Sequence, residues 1–248
     1  MTWENKRILF MGDSITALGT TERGWVGYFN DIIKPSHFVN VAVSGATIED
    51  KEGTVYDGNP FFDPEDVEQR ENVLGNQLEK VIIEKNKCNL DYEEFDYVII
   101  AAGTNQGHRI GLTENETTVD RQFFDSLGNK IPLEMVNRKT WSGAIRYIYE
   151  TLRINYPNAK IFFCSPIQAA ESVDRAYLSI KEKGALIKAV CDRISDIIFI
   201  DTFNCGICGF YESKGENGRD LIDGLHPNIN GAKKIAEYNA RAIKWHTM

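Results

Sequence analysis

No stretch of this chain approaches the roughly 20 consecutive apolar residues of a membrane span, and its opening, Met-Thr-Trp-Glu-Asn-Lys-Arg, lacks the apolar core of a secretory signal. The expectation is a soluble, cytoplasmic protein as the sequence stands, or a secreted or periplasmic one if a signal segment has been removed. Basic residues are outnumbered as well: 28 Lys and Arg stand against 36 Asp and Glu, for a net charge of -8, and they form no run. Binding a phosphate backbone requires a concentrated cationic surface, so nucleic acid is not expected as a partner.

Cysteine and histidine are scarce. Five scattered thiols, an odd number, do not make a disulfide framework. Cys205 and Cys208 form a lone Cys-x-x-Cys with no second pair, and four histidines supply no accompanying ligand cluster, so neither a metal nor a redox role is expected there. Cys164, inside an apolar run, reads as a buried thiol.

What remains is ordinary globular material, 42% apolar and 26% charged over 248 residues, enough to bury a sizeable core. With neither an internal repeat nor a low-complexity linker, one domain over 1–248 is the better reading, carrying irregular insertions at about 50–72 and 106–138.

Residues 6–14, Lys-Arg-Ile-Leu-Phe-Met-Gly-Asp-Ser, organise that domain. The apolar run 8–11 has the length of a fully buried strand, and Gly12 breaks it. A serine just past such a strand can present its hydroxyl at the rim of an open sheet, where ligands bind in α/β proteins. The plainer alternative is that Asp13 or Ser14 only caps the following helix.

Downstream, Trp25, Val26, Phe29, Ile32 and Ile33 recur at helical spacing until Pro35, and 38–43 form a second strand that runs into Ser44-Gly45-Ala46. Past the first insertion, Leu74, Leu78, Val81 and Ile82 mark a helix, and 97–102 a strand that ends at Gly103-Thr104-Asn105. Beyond the second insertion come a helix on Trp141, Ile145, Ile148 and Leu152 and a strand over 160–164. A helical face on Ala176, Ile180, Gly184, Ile187, Cys191 and Ile194 then leads to a fifth strand over 197–200. The last helix follows Asp223-Gly224-Leu225-His226-Pro227-Asn228, where Pro227 and Asn228 are start signals. Such alternation calls for an α/β fold with a five-stranded parallel sheet and helices on both faces, because each parallel crossover needs a connecting helix.

In a parallel sheet every strand ends at the same rim. Ser14, Gly45, Asn105 and the Asp223/His226 pair therefore converge there from separate loops. A serine hydroxyl becomes a competent nucleophile when an imidazole takes its proton, and a carboxylate fixes the imidazole tautomer. Attack on a carbonyl creates an oxyanion, for which the Ser14 and Gly45 amides and the Asn105 side chain are candidate donors.

These blocks resemble the SGNH, or GDSL-type, hydrolases: Gly12-Asp13-Ser14, Gly45, Gly103-Thr104-Asn105 and Asp223-Gly224-Leu225-His226-Pro227 occur in the family's order. The resemblance implies a flavodoxin-like three-layer α/β/α sandwich, with Ser14 as nucleophile, His226 as general base, Asp223 as its orienter, and Ser14, Gly45 and Asn105 as oxyanion donors. It implies no metal and no organic cofactor. The substrate class it suggests is short carboxylic esters, acetyl groups on carbohydrates or similar alcohols. Thioesterase, lysophospholipase and acyltransferase chemistry would use the same triad, and a non-catalytic flavodoxin-like binding module is the alternative from another class. The third block usually continues Asn-Asp, whereas Gln106 follows Asn105 here, which implies a changed loop.

Asp13, Gln106 and His108 are further candidates for contact with substrate, whereas His37 and His246 read as solvated. Asp201, at the end of the fifth strand, competes with Asp223 for the role of acid but has no imidazole near it in sequence. Phe61, Phe62, Phe123, Phe124, Phe210 and Tyr211 lie in irregular segments, where anchoring a loop to the body is the expected role and walling a pocket the alternative.

Overall fold

The computed structural model describes residues 3–17, 24–50, 73–105, 122–171, 173 and 179–247. Strands β1 (Arg7–Gly12), β2 (His37–Asn40), β3 (Tyr97–Ala101), β4 (Lys160–Cys164) and β5 (Ile197–Ile200) pair in parallel, in the order β2-β1-β3-β4-β5. Among the described residues the helices are α1 (Ser14–Ala17), α2 (Trp25–Ile33), α3 (Leu74–Asn86), α4 (Trp141–Asn155), α5 (Ile180–Cys191) and α6 (Ile229–Trp245).

Side chains of a strand point alternately to its two faces, and here that alternation divides the core into two layers. Leu9, Met11, Val98, Ile100, Ile161 and Phe163 face α3, α4 and α5. Their neighbours Ile8, Phe10, Tyr97, Ile99, Phe162 and Cys164 face α2 and α6. The nearly unbroken apolar runs of β1, β3 and β4 follow from this, since both faces of the sheet are covered. The expected three-layer sandwich is thus present, with α2 and α6 on one side of the sheet and α3, α4 and α5 on the other.

The order of strands also locates the crevice. From β1 the chain crosses by α2 to β2 at one edge, then returns by α3 on the opposite face to β3, beside β1. Such a topological switch point opens a cleft beyond the strand ends, here between the loops after β1 and β3.

The second strand is shorter than expected, ending at Asn40 instead of 43. The Asn40 amide accounts for this: its Oδ1 accepts from Ala42 N at 3.0 Å and its Nδ2 donates to Thr16 O at 3.0 Å, competing with regular pairing. Val41 and Val43 still donate to Phe10 O and Gly12 O, so the segment continues alongside β1 without strand geometry. Helix α5 begins at Ile180 because Ser179 and Glu182 form a reciprocal capping box, and Ala176 lies outside the described residues.

Residues 51–72 and 106–121 lie outside the described residues, while 122–138 hold turns, a bridge between Phe124 and Lys130 and a single 3-10 turn at Leu133–Met135. The stems of both insertions meet. Thr47 pairs with Val73, Asp50 N donates to Arg138 O at 2.9 Å, and the Arg138 guanidinium lies 3.1 Å from the Asp50 carboxylate.

Candidate active site

The turn after β1 is built without slack. Gly12 pairs with Ala101 of β3, and a Cβ at Gly12 would collide with the Ala101 carbonyl and the Thr16 side chain, so only glycine fits. Gln77, fully buried on α3, grips both polar groups of Gly12: Gly12 N donates to Oε1 at 3.0 Å, and Nε2 donates to Gly12 O at 2.8 Å. The Asp13 carbonyl then accepts from Thr16 N and Ala17 N, which starts α1 with Ser14 as its first residue.

Asp13 lies beneath the surface of the site. It is 1% exposed, its Oδ1 accepts from Ile15 N at 3.1 Å and its Oδ2 from Thr104 N at 3.3 Å. Burial pushes its carboxyl up to about 6, against the pull of those N–H groups and of His226. Its carboxylate ties the loop after β1 to the loop after β3. Its side chain combines the capping role that the plainer reading assigned it with a bond across the crevice.

His226 comes from the far end of the chain, 212 residues from Ser14, yet its Nε2 lies 3.0 Å from Ser14 Oγ. Its Nδ1 lies 2.8 Å from Asp223 Oδ2. The other Asp223 oxygen accepts from Leu225 N at 2.9 Å and His226 N at 2.8 Å, an Asx turn that leaves Oδ2 aimed at the ring. Burial raises the Asp223 carboxyl, but these N–H bonds and the imidazole outweigh it and hold the group below its usual range. Gly224, at φ +82, lets the chain double back, and a Cβ there would press on Ala170 and the Ser213 carbonyl. Ala170 N donates to Gly224 O at 2.7 Å, Ile222 N to His226 O at 2.7 Å, and Asn228 caps α6 behind them.

In the loop after β2, Gly45 stands at φ +76 in the turn closed by Ala46 N on Val43 O. Asn105 Nδ2 donates to Ala46 O at 3.1 Å, which joins the second and third blocks and sets the plane of the Asn105 amide. From α5, the buried Lys183 donates from Nζ to Thr104 O at 2.9 Å. A hydroxyl, an imidazole and an oriented carboxylate in a hydrogen-bonded row, beside a side-chain amide, have the composition needed for nucleophilic attack on a carbonyl.

Asp201 is not in this row. Its oxygens take Ser165 Oγ at 3.4 Å and Asn204 Nδ2 at 2.7 Å, so Asp223 alone of the two candidates meets an imidazole. Gln106 and His108, with Phe61 and Phe62, lie outside the described residues. His37 is half-buried, 3.6 Å from the Asp91 carboxylate, and His246 is exposed at the end of α6. Cys205 is buried and Cys208 exposed, both as free thiols, and burial pushes Cys205 up to about 11 and Cys164 to about 12.

Of the loop aromatics, Phe123 anchors as expected, whereas Phe124, Phe210 and Tyr211 do not. These three are exposed, and Phe210 and Tyr211 pack edge-to-face on each other. The functional-looking residues that sequence patterns overlook are Gln77 and Lys183. A glutamine sharing the helix face of Leu74, Leu78 and Val81 was a visible irregularity, while no sequence signal pointed to Lys183.

Comparison with known proteins gives the family and the fold. A family profile described as GDSL-like lipase/acylhydrolase matches residues 10–234. A search of curated proteins by sequence found no match. Among solved structures, the carbohydrate acetylesterase Est24 from Sinorhizobium meliloti is similar with a TM-score of 0.57 at 17% identity, over 98% of this chain and 100% of that one. A catalytic mutant of the acetylxylan esterase Axe2 from Geobacillus stearothermophilus gives 0.52 at 16%, over 98% and 96%. A GDSL-like lipase from Bacteroides thetaiotaomicron gives 0.53 at 20%, over 97% and 89%.

Proposed function

This chain belongs to the GDSL-like lipase/acylhydrolase family, and on that footing we propose that it hydrolyses short carboxylic esters through an acyl-enzyme on Ser14. The observation that carries the reading is the row Ser14 Oγ, His226 Nε2, His226 Nδ1 and Asp223 Oδ2, with contacts of 3.0 and 2.8 Å.

In this reading the Ser14 proton passes to His226 Nε2 as Oγ bonds to the ester carbonyl carbon. The imidazolium that forms is stabilised by Asp223, whose second oxygen is occupied by backbone N–H groups and cannot swing away. The carbonyl oxygen becomes an oxyanion received by the Ser14 and Gly45 N–H groups and the Asn105 amide. Loss of one such donor costs about 3 kcal/mol of transition-state stabilisation in comparable sites. Collapse breaks the bond to the alcohol, which leaves with the proton from Nε2. Water then gives up a proton to the same nitrogen as it attacks the acyl carbon, and collapse breaks the bond to Ser14 Oγ, which takes the proton back from Nε2 as the acid leaves.

The proposed acyl group is acetyl and the alcohol a carbohydrate or similar hydroxyl compound. Gly-Asp-Ser-Ile-Thr with Asp-Gly-Leu-His-Pro supports this, as does the similarity to two proteins described as acetylesterases of carbohydrates.

Ser14→Ala tests the chemistry directly. The variant is expected to keep its circular dichroism spectrum and melting temperature while losing turnover of p-nitrophenyl acetate, and the wild type to be labelled at Ser14 by an organophosphorus probe. Unchanged turnover in the variant would end the proposal, and absence of labelling would favour a non-catalytic binding module.

A further inference from the structure

We propose that Lys183 is a positioning residue for the Asn105 donor, acting through the backbone of Thr104. The inference rests on the ester-hydrolase reading above. Lys183 is 1% exposed, and its Nζ donates to Thr104 O at 2.9 Å. On the other side of the same residue, Thr104 N donates to Asp13 Oδ2 at 3.3 Å. The residue directly before Asn105 is therefore held at both its backbone polar groups, by side chains from two different parts of the fold.

Helix α5 touches this loop a second time. Ile187, one turn beyond Lys183, would lie 3.0 Å from a Cβ at Gly103, which stands at φ +117. Gly103 and Thr104 are thus seated against α5 by packing and by a hydrogen bond together. Asn105 has two amide hydrogens and directs its nitrogen at Ala46 O, so the direction of the second hydrogen depends on the backbone that carries the side chain.

Lys183 carries its charge into a buried position at the start of a helix. An ammonium taken out of water costs free energy unless well partnered, and the first turn of a helix, where Lys183 is the fourth residue of α5, disfavours a cation. Methionine would occupy similar space with neither cost. The Lys183 ammonium grips the peptide directly before the proposed oxyanion donor. It touches no reacting atom itself.

The test is a double-mutant cycle on p-nitrophenyl acetate, using Lys183→Met, Asn105→Ala and the pair, with Lys183→Gln as a second replacement. Lys183→Met is expected to unfold cooperatively, to lower kcat about tenfold or more, and to leave KM within about twofold. In the Asn105→Ala background the same change is expected to cost less than about twofold, because a residue acting through Asn105 has nothing left to place. Wild-type kcat in Lys183→Met, or an equal loss in both backgrounds, would overturn the proposal. Failure of both Lys183 variants to fold would overturn it as well, making the ammonium a structural group. Ser14→Ala in the same assay separates the two levels: if it retains turnover the ester-hydrolase reading and this proposal both fall, and if it is dead while Lys183→Met is unimpaired, only the proposal does.

Discussion

Asp13 and Asp223 are two carboxylates on either side of Ser14 with opposite electrostatics. Asp223 is half-exposed and held below its usual range by the bonds it accepts, which suits an anion facing an imidazolium. Asp13 is buried, and burial pushes it up to about 6. Because that value lies above the roughly 3.9 of an unfolded aspartate, the folded chain binds this proton more tightly than the unfolded chain. Ionisation of Asp13 therefore costs stability: nothing below about pH 4, a growing amount between about pH 4 and 6, and a constant amount on the order of 3 kcal/mol above that. Urea unfolding of wild type and Asp13→Asn across this range checks it. The stability of the wild type relative to the variant is expected to fall from pH 4 to 6 and then level off, and a difference that does not change with pH would contradict the assignment.

At the scale of elements, α3 and α5 do more than cover the sheet. Each sends a polar side chain to backbone at the rim of the sheet: Gln77 to the peptide groups of Gly12 at the end of β1, Lys183 to Thr104 in the loop after β3. Gln77→Leu keeps an apolar helix face but strips Gly12 N of its acceptor in a buried setting, a loss of roughly 1–3 kcal/mol. The variant is expected to melt at a lower temperature and to lose kcat on p-nitrophenyl acetate with little change in KM. Wild-type melting and turnover together would show that the glutamine holds nothing. Elements were largely legible in advance, since the apolar runs of β1, β3, β4 and β5 and the helical spacing of α2, α3, α4 and α6 report burial on known faces. Their ends were less so. The early end of β2 depends on what the Asn40 amide finds, and the start of α5 on a Ser-x-x-Glu box that was readable in the sequence but easily passed over.

Over the whole molecule, one sheet between two helical layers supports a site assembled from both ends of the chain. Phe162 is fully buried in β4, on the face that packs against α2 and α6. Phe162→Ala is expected to destabilise the fold by about 3–5 kcal/mol. Below its lowered melting temperature the variant should keep the KM of the wild type, because β4 contributes no residue to the Ser14, His226 and Asp223 row. A raised KM in the folded variant would show that core and site are coupled more closely than the layers indicate.

By itself the sequence determined the architecture and the blocks that bear the chemistry. Alternating apolar runs and helical spacing are local signatures of burial, and Gly12-Asp13-Ser14, Gly45, Gly103-Thr104-Asn105 and Asp223 to Pro227 are local too. Only the tertiary structure decided how the blocks are held together: Asp13 on Thr104, Gln77 on Gly12, Lys183 on Thr104 and Asn105 on Ala46, across 91, 65, 79 and 59 residues. The reason is physical. Periodicity reveals which face of an element is buried, but a polar side chain finds its partner only when elements distant in sequence are set against one another, and for these four side chains that happens at the strand ends where Ser14 stands.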